Sequence, residues 1–259
     1  MAVASAGVAS RRSADELIFA GKVKVNGEVV KDPATQVNLA KDKVMVEGRA
    51  LTAAVVPRKY YFAVNKPKGY ICSNKLEWGL EFERGRLVVD LFAEWLKTWQ
   101  QRQPKGAIPP RLFPVGRLDV QSVGLIFVTN DGDWAHRVMH PSSGLTKEYS
   151  VTLDRKPTLA QLEKMAEGCE VDGAHVQPVA VAVDDSDLTK PNRIRVVVAE
   201  GRNREVRTLV SHAGLEVRTL RRVRVGGYRL PRDLAFGQFR ELRPHEVRRV
   251  INAGADSVV

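Results

Sequence analysis

The alternation of hydrophobic and polar positions along the first fifty residues predicts a small unit of one helix and several strands. Ser13 is predicted to cap the helix, and Gly21 to end it. The stretch KVKVNGEVV, residues 22–30, predicts a β-hairpin, because Asn-Gly between alternating residues supplies the positive φ angles of a tight turn. A further strand is predicted over Lys43 to Gly48, and the RALTAAVVPRK that follows is typical of a linker.

From Tyr60 onward, short apolar runs and amphipathic stretches follow one another in mixed order and without repeats. Strands are predicted at residues 60–67, 112–115, 125–128, 147–153, 193–201 and 215–230, and helices at residues 90–101, 205–212 and 245–252. Strands and helices that lack strict β-α-β alternation favour the α+β class. We therefore predict a first domain over residues 1–50, a linker over 51–59 and a second domain over 60–253.

One loop between two predicted core strands carries a pair of opposite charges. Arg117 and Asp119 lie two residues apart in LFPVGRLDVQSVGLIFVTNDG, between the strands at 112–115 and 125–128. A carboxylate in this place either caps a turn or takes part in chemistry. A loop that is anchored in the core at both ends would hold such a group in a fixed position.

Composition adds a strong positive charge to this pattern. The chain has 259 residues, with 41 Lys and Arg against 30 Asp and Glu, a formal net charge of +11 and a pI near 9.8. This balance indicates an anionic partner, either a nucleic acid or an acidic surface. The sequence contains no run of about 18 apolar residues, so it predicts no membrane-spanning segment. The two cysteines, Cys72 and Cys169, are far apart and have no metal-ligand spacing, which indicates a reducing compartment.

Arginine is concentrated in one segment of the chain. Eleven arginines and three acidic residues lie between Arg193 and Arg232, with no lysine among them. A guanidinium binds phosphate oxygens through two parallel hydrogen bonds and stacks on bases, so this enrichment favours a nucleic acid more than charge alone does. A solvated sheet face is the alternative. The first domain adds a second basic group, made of Arg11, Arg12, Lys22, Lys24, Lys31, Lys41 and Lys43.

The sequence lacks motifs for several other kinds of chemistry. His136 and His140 have a spacing that could place two imidazoles on one metal, but no HExxH pattern or third ligand accompanies them. Capping or RNA contact explains this pair better than zinc does. No Walker-type or dinucleotide-binding glycine pattern occurs, and no Ser/His/Asp set stands out. Catalysis would therefore rest on carboxylates, hydroxyls and arginines.

Five motifs, in order along the chain, resemble those of the RsuA/RluB/RluE/RluF type of RNA pseudouridine synthase. They are NKPKGY at residues 65–70, GRLDVQSVGLIFVTNDGD at 116–133, KEYSV at 147–151, EGRNREVRTL at 200–209 and LRRVRVGGYRL at 220–230. The N-terminal AGVASRRSADELIFAGKVKVNGEVV, residues 6–30, resembles the small αL RNA-binding domain of the ribosomal-protein-S-four type. Together these resemblances cover nearly the whole chain.

The resemblance implies an α+β fold, in which a pseudouridine synthase domain with a mixed, mainly antiparallel sheet and flanking helices follows the αL domain. The segments WLKTWQQRQPKGAIPPRLF and LPRDLAFGQFREL resemble the plant chloroplast branch, which implies a plastid, with a bacterial-type cytoplasm as the alternative. Ser122 and Val123 depart from the usual Thr followed by Thr or Ser, and Glu205 and Thr208 from a usual Gln and Arg. Most of the first αL helix is expected to be missing.

The implied reaction converts uridine within RNA, above all ribosomal RNA, to pseudouridine. The bond from the sugar to a base nitrogen breaks, the uracil turns, and a carbon of the base bonds to the same sugar. No atom is gained or lost, so no cofactor, metal or cosubstrate is implied. The uridine must first be flipped out of its helix, at a cost of a few kcal/mol, into a pocket that stacks it. RNA is the implied partner and a monomer the implied assembly; a non-catalytic RNA-binding or ribosome-assembly protein is the alternative.

The resemblance implies three catalytic residues, each of which also has a structural alternative. Asp119 is implied as the nucleophile or charge partner at the sugar, with turn capping as its alternative. Tyr149 is implied as the aromatic that stacks on uracil and helps to move a proton, or else it packs between strands. Arg207 is implied as the partner that keeps Asp119 ionised, or else it contacts a phosphate.

RNA-binding roles are implied for a wider set of residues. Arg117 orients the loop or fills the gap left by the flipped base, or else it forms a structural ion pair. Leu209 forms the floor of the pocket or packs in the core, and Lys66 binds RNA or supports the site. Further RNA contacts are expected at Lys147, Arg202, Arg204, Arg11 and Arg12.

Overall fold

The protein was studied as a computed structural model, which describes residues 3, 9, 11–38, 41–51, 58–73, 85–104, 107, 109–184 and 189–252. The chain forms two compact units. The first consists of Met1–Tyr60, Phe92–Leu112 and Thr129–Gly132, and the second of Tyr61–Leu91, Phe113–Val128 and Asp133–Val259. The domain boundaries at residues 1–50, 51–59 and 60–253 stay a prediction.

In the first unit, a helix packs on a small antiparallel sheet. The elements are helix α1 (Arg11–Phe19) and strands β1 (Val23–Val25), β2 (Glu28–Val30), β3 (Val44–Val46) and β4 (Arg49–Leu51). The sheet order is β2-β1-β3-β4. Its core contains Ala14 of α1 together with Val23, Val44, Val46 and Leu51.

The predicted hairpin is confirmed, since Asn26 and Gly27 have φ angles of 53° and 95° and β1 pairs antiparallel with β2. Two other predictions for this unit are wrong. Ser13 does not precede the helix, because α1 already begins at Arg11. The Arg49–Leu51 segment is a strand rather than linker, because Leu51 fills the small core. The prediction that most of the first αL helix is missing concerns the start of the chain, where most of the residues before Arg11 lie outside the described ones.

The helix predicted at residues 90–101 is also confirmed. A 3₁₀ turn at Val88–Phe92 leads into helix α2 (Ala93–Gln101). Within the first unit, the indole N–H of Trp99 donates a hydrogen bond to the Tyr60 hydroxyl at 2.7 Å, and the Trp95 ring packs edge-on against Tyr60. These aromatic contacts explain the apolar stripe of the helix.

The second unit contains a large mixed sheet. Its strands are β5 (Tyr61–Lys66), β6 (Tyr70–Ile71), β7 (Arg86–Leu87), β8 (Phe113–Val115), β9 (Val123–Thr129), β10 (Lys147–Leu153), β11 (Cys169–Val171), β12 (Ala174–Val176), β13 (Ala180–Val183), β14 (Arg193–Val198), β15 (Val217–Val225), β16 (Tyr228–Arg229) and β17 (Phe239–Glu241). Nine of these described strands form one sheet in the order β13-β14-β10-β15-β9-β5-β17, with β16 beside β15 and β8 beside β9. The pairs β13–β14, β14–β10, β10–β15 and β17–β5 are antiparallel and β15–β9 is parallel, which confirms the predicted sheet and the α+β class.

Helices flank this sheet. They are α3 (Gly132–Met139), α4 (Leu159–Glu167), α5 (Glu205–His212) and α6 (Pro244–Asn252), with a further 3₁₀ turn at Pro141–Ser143. On one side, Phe127 of β9 packs edge-on against Trp134 of α3 and against Tyr228. Because β9 is buried along its whole length, the loop that precedes it is anchored in the core.

The sequence pattern predicts no element between residues 154 and 192, where the structure has α4, β11, β12 and β13. Local signals are present there. Thr158 and Gln161 form a reciprocal capping box at the start of α4. Asp172 and Gly173, both with positive φ, form the turn of the β11–β12 hairpin.

Gly124 lies where β9 comes close to β15. Its φ is +103°, and a Cβ at this position would lie 2.3 Å from the carbonyl oxygen of Arg222. We expect Gly124→Ala to lower the free energy of unfolding by about 3 kcal/mol, because backbone strain and overpacking add. Urea denaturation followed by circular dichroism measures this loss. Gly132→Ala meets no atom within 4 Å and is the control, and an equal loss in both variants would contradict the explanation.

Candidate active site

One cavity of the second unit brings together many of the residues predicted to be functional. Its volume is about 370 Å³, which lies within the range of roughly 300–1,000 Å³ for small-molecule sites. The loop between β8 and β9, strands β10 and β15, and the turn before α5 form its walls. The polar and charged lining residues are Arg117, Asp119, Ser122, Lys147, Tyr149, Glu200, Arg202, Asn203, Arg204, Glu205 and Arg222.

The Asp119 carboxylate lies in this cavity with a cation and a hydroxyl group against it. Its Oδ2 is 3.7 Å from Nε of Arg207 and 3.5 Å from the Ser122 hydroxyl, which donates to it. Arg207 also donates to the Ser122 hydroxyl at 3.4 Å. These distances are long for hydrogen bonds, so the carboxylate oxygens keep room for a further partner. Catalytic contacts of this kind often tighten only when substrate binds.

Arg207 itself is mostly enclosed. Its side chain is 17% exposed, and its buried Nε has no hydrogen-bond partner among the described residues. Burial and the nearby Arg204 lower the pKa of Arg207, and the Asp119 carboxylate opposes this change. The guanidinium is thus positioned to stabilise negative charge on Asp119, as the sequence resemblance implies.

Tyr149 lies in the wall of the cavity on β10. It is buried, and the strand register places it opposite Arg222 of β15 and Val196 of β14. The β10–β15 register shifts between Glu148 and Tyr149, and an irregularity of this type changes the direction in which a side chain points. The aromatic ring therefore lines the same cavity as Asp119.

Lys66 lies beneath the Asp119 loop rather than at the surface, which favours the supporting role over the RNA-binding role. The side chain is fully buried. Its ammonium group donates to the backbone carbonyls of Ser122 at 2.7 Å, Asp119 and Pro67 at 3.1 Å, and Val120 at 3.4 Å. Three of these carbonyls belong to the loop that carries Asp119. Lys66 therefore holds the backbone of the Asp119 loop in place. The sequence analysis had left this supporting role open as the alternative to RNA binding.

The same burial affects the charge of Lys66. Burial lowers the pKa of Lys66 to about 8, although the nearby Cys72 and Asp119 oppose the change. An ammonium group can donate to three carbonyls at once, whereas a neutral amine has one donor fewer. The charge of Lys66 is therefore linked to the geometry of the Asp119 loop.

The other predicted RNA-binding residues differ in their positions. Arg117 is exposed at the cavity, and Lys147 lines it while donating to the carbonyls of Glu200 and Ala199. Burial lowers the pKa of Lys147. Arg202 pairs with Glu200 at 2.6 Å, and the exposed Arg204 also lines the cavity.

Three predicted residues lie elsewhere. Leu209 is buried with Cys169, Val171 and Val176, and the described lining of the cavity does not include it. This position matches core packing rather than a pocket floor. Arg11 and Arg12 begin α1 in the first unit, but their side chains lie outside what the structure describes.

Arg222 and Glu205 are site residues that the sequence analysis did not single out as functional. Arg222 is 5% exposed and donates to the carbonyls of Leu125 and Arg117, which ties β15 to β9 and to the Asp119 loop. The signal was the alternation of β15, which places Arg222 on the same face as the buried Leu220. Glu205 accepts from two backbone N–H groups before α5, and burial raises its pKa.

The His136 and His140 rings lie close together, with centroids 5.1 Å apart. Nδ1 of His140 accepts from the backbone N–H of Ser142 and so caps the 3₁₀ turn at Pro141–Ser143. Within the described part of the chain, no cluster of three or more metal-ligating side chains occurs. No helix in that part is long and apolar enough to cross a membrane.

Comparison with known proteins supplies the decisive observation. A family model described as RNA pseudouridylate synthase matches residues 60–212 of this chain. The chain belongs to the RNA pseudouridylate synthase family. An S4 domain model matches residues 1–44, which confirms the RNA-binding domain expected at the N-terminus.

Individual relatives agree with membership of the pseudouridine synthase family. A chloroplastic protein of Arabidopsis thaliana, provisionally named as a ribosomal large subunit pseudouridine synthase, is 47% identical over 95% of this chain, which spans 58% of that relative. Ribosomal large subunit pseudouridine synthase B of Bacillus subtilis is 36% identical over 96% of this chain and 93% of its own length. Ribosomal small subunit pseudouridine synthase A of Escherichia coli is 30% identical over 93% of this chain and 94% of its own length.

The fold agrees with a known pseudouridine synthase as well. A crystal structure of a pseudouridylate synthase superimposes with a TM-score of 0.61 and 27% sequence identity, over 96% of this chain and 97% of that one. The fold class predicted from the motifs is therefore confirmed across both units.

Arg207→Lys separates the two interpretations of Arg207. If the guanidinium stabilises Asp119, the single-turnover rate of pseudouridine formation should fall about tenfold in the lysine variant. A lysine ammonium lacks the planar, paired N–H donors of the guanidinium, and we expect this change to remove about 1.4 kcal/mol of charge stabilisation. RNA affinity should stay near the wild-type value. A variant with an unchanged rate and weakened binding would instead support a phosphate contact.

Proposed function

We propose that this protein isomerises specific uridines of ribosomal RNA to pseudouridine. The observation that carries the proposal is the Asp119 carboxylate, which faces a cavity of base-binding size with Tyr149 in the wall and Arg207 behind it. Family membership supports the reaction type, and the names of the relatives support ribosomal RNA as the substrate.

The proposed reaction begins when a uridine is flipped into the cavity and stacks on Tyr149. Asp119 acts at the ribose while the bond from C1′ to N1 breaks, and Arg207 places a positive charge beside the carboxylate. The uracil then turns so that C5 bonds to C1′. The proton leaves C5 and N1 takes up a proton, so that the atoms of uridine and pseudouridine balance. The Tyr149 hydroxyl is the proposed group that helps to move this proton.

RNA binding is proposed to rest on the positive residues around the cavity and on the S4 domain. Arg117, Arg202 and Arg204 lie at the cavity and supply charge for the phosphates that flank the flipped nucleotide. Arg11 and Arg12 are proposed contacts from the S4 domain. The proposed reaction gains and loses no atom and is redox-neutral, so it consumes no cosubstrate.

The test uses ribosomal RNA transcribed in vitro, which contains no pseudouridine. Purified protein is incubated with large-subunit and small-subunit transcripts, and pseudouridine is mapped by carbodiimide modification and mass spectrometry. We expect conversion at one or a few defined uridines of one transcript. A protein that binds both transcripts and modifies neither would overturn the enzymatic proposal in favour of a non-catalytic RNA-binding role.

Three further assignments are part of this proposal. We place the protein in a plastid, because the Arabidopsis relative is named as chloroplastic; a bacterial-type cytoplasm is the other outcome, since bacterial relatives also match. Immunoblots of fractionated organelles distinguish the two. We propose a monomer, which light scattering tests. We also propose domains at residues 1–50 and 60–253 joined by 51–59, with Leu51 at the start of this linker still part of the first sheet, and limited proteolysis tests these boundaries.

A further inference from the structure

The sheet of the second unit has a second groove on the face opposite to the active site. Ser150 of β10 pairs with Arg195 of β14 and Arg221 of β15, and Arg221 pairs with Val123 of β9. All of these side chains line one groove. Arg222, which neighbours Arg221 along β15, lines the active-site cavity instead, and Tyr149 of β10 borders both the cavity and the groove. Because successive side chains of a strand point to opposite faces, Arg221 and Arg222 face opposite sides of the sheet.

Unpaired arginines dominate this back-face groove. Within the described part of the chain, Arg193, Arg195, Arg221 and Arg232 form no salt bridge, although all four line the groove. Nε of Arg221 is buried without a hydrogen-bond partner there. Buried polar groups are normally satisfied, so an orphan donor in a groove indicates a missing acceptor. Burial and the neighbouring Arg193 also lower the pKa of Arg221.

The acidic residues of the groove do not cancel this charge. Glu148 is held by Arg224 at 3.1 Å and by Arg229 at 2.8 Å. Asp184 is the other acidic residue among those described in the lining. The groove therefore has an excess of positive charge with fixed positions, since Arg193 and Arg195 stand on β14 and Arg221 stands on β15, the two strands that flank β10.

An exposed aromatic ring lies beside these cations. Phe236 is 57% exposed and lines the groove, with the Arg221 guanidinium 5.5 Å from its ring centroid. Aromatic rings next to arginines form the stacking surfaces on which proteins bind unpaired bases, because each base offers a flat π-face.

We propose that the back-face groove binds a single-stranded segment of RNA, with Arg193, Arg195, Arg221 and Arg232 on phosphates and Phe236 stacked on a base. Among the described lining residues, this surface shares only Tyr149 with the cavity that takes the flipped uridine. The inference rests on the proposed function in that the RNA is the one being modified. It implies that the protein contacts its substrate on both faces of the sheet.

Charge removal in the groove tests the proposal. Arg193→Gln with Arg195→Gln removes two groove cations, and Arg248→Gln with Arg249→Gln removes two exposed cations from α6 as the matched control. Binding of a fluorescein-labelled single-stranded RNA is measured against salt. We expect affinity to fall on the order of tenfold in the groove variant, and the log–log salt slope to fall by about 1.4 for two lost single-strand contacts. The control should keep the wild-type slope.

Cross-linking gives a second measurement that does not depend on variant stability. RNA containing 4-thiouridine is irradiated with wild-type protein, and cross-linked peptides are identified by mass spectrometry. We expect cross-links in the peptide that contains Phe236, and fewer of them in Phe236→Ala. Circular dichroism of every variant checks the fold.

The outcomes separate this proposal from the function itself. If wild-type protein forms pseudouridine but the groove variant matches the control in affinity and slope, the back-face proposal is overturned and the function stands. Absence of cross-links at Phe236 also overturns the back-face proposal. An acidic protein segment would then be the next candidate to bind in the groove. If the wild type forms no pseudouridine and the groove variant still binds RNA more weakly than the control, the proposed isomerase function is overturned and the proposed RNA binding in the back-face groove is supported.

Discussion

Asp119→Asn is expected to lower the rate of pseudouridine formation by at least about 10⁴-fold. Loss of a nucleophile or of a charged catalytic partner typically has an effect of this size. The amide keeps the shape of the carboxylate but removes its charge, so the ion pair with Arg207 is lost while the loop keeps its anchors in the core. Binding energy from the surrounding cations is unaffected, and RNA affinity should therefore stay within about twofold.

Release of tritium from RNA labelled at C5 of uridine measures this rate, because C5 loses its hydrogen when it bonds to the sugar. Single-turnover conditions separate the chemical step from product release. Asp133→Asn, an exposed carboxylate in the first turn of α3, is the matched control and should keep the wild-type rate. Retention of wild-type activity in Asp119→Asn would exclude Asp119 from the chemistry.

Lys66→Met is expected to have the next largest effect, with a rate loss of about 10²-fold or more. Methionine fills a similar volume but leaves three carbonyls of the Asp119 loop without their donor. Buried acceptors that lose a partner destabilise by roughly 1–3 kcal/mol, and small displacements of a reacting group cost about 10² in rate. Chemical denaturation and tritium release measure the two losses. Lys97→Met, whose ammonium is exposed on α2, is the control.

The pH profile gives this explanation a signature that simple destabilisation lacks. Because the pKa of Lys66 is about 8, the wild-type rate should fall as the pH rises through about 8 and the ammonium group loses a donor. The methionine variant has no such group, so its rate should show no inflection there. An identical inflection in both proteins would mean that another group titrates and that Lys66 does not act through its charge.

Local patterns predicted most of the strands. The motif resemblance singled out Asp119, Tyr149 and Arg207, and the structure brings these residues together around one cavity, while their catalytic roles stay predictions. Asn26-Gly27 and the apolar runs of β9 and β10 behave as their local sequence requires. Local sequence patterns do not predict that Asp119 and Arg207 lie close together, because 88 residues separate them along the chain. Only the structure shows this proximity.

The supporting role of Lys66, which the sequence left open, and the role of Arg222, which it missed, both depend on partners that are distant along the chain. Lys66 donates to carbonyls more than fifty residues away, and Arg222 to a carbonyl 97 residues away, and side-chain-to-backbone bonds leave no trace in the receiving sequence. Ser13 is a good cap by composition, but the chain continues its helix further toward the N-terminus. Contacts with residues distant along the chain thus determine the positions of Lys66 and Arg222, which local propensity does not predict.

The position of β9 in the sheet determines when the site can form. Its parallel partner β15 is the last long strand of the chain, and parallel pairing across such a separation is slow, because a long loop must close before any contact forms. A growing chain on the ribosome therefore carries Asp119 and Tyr149 well before it carries the strand that packs beside them. We therefore expect the Asp119 loop to reach its final geometry only after β15 has been synthesised.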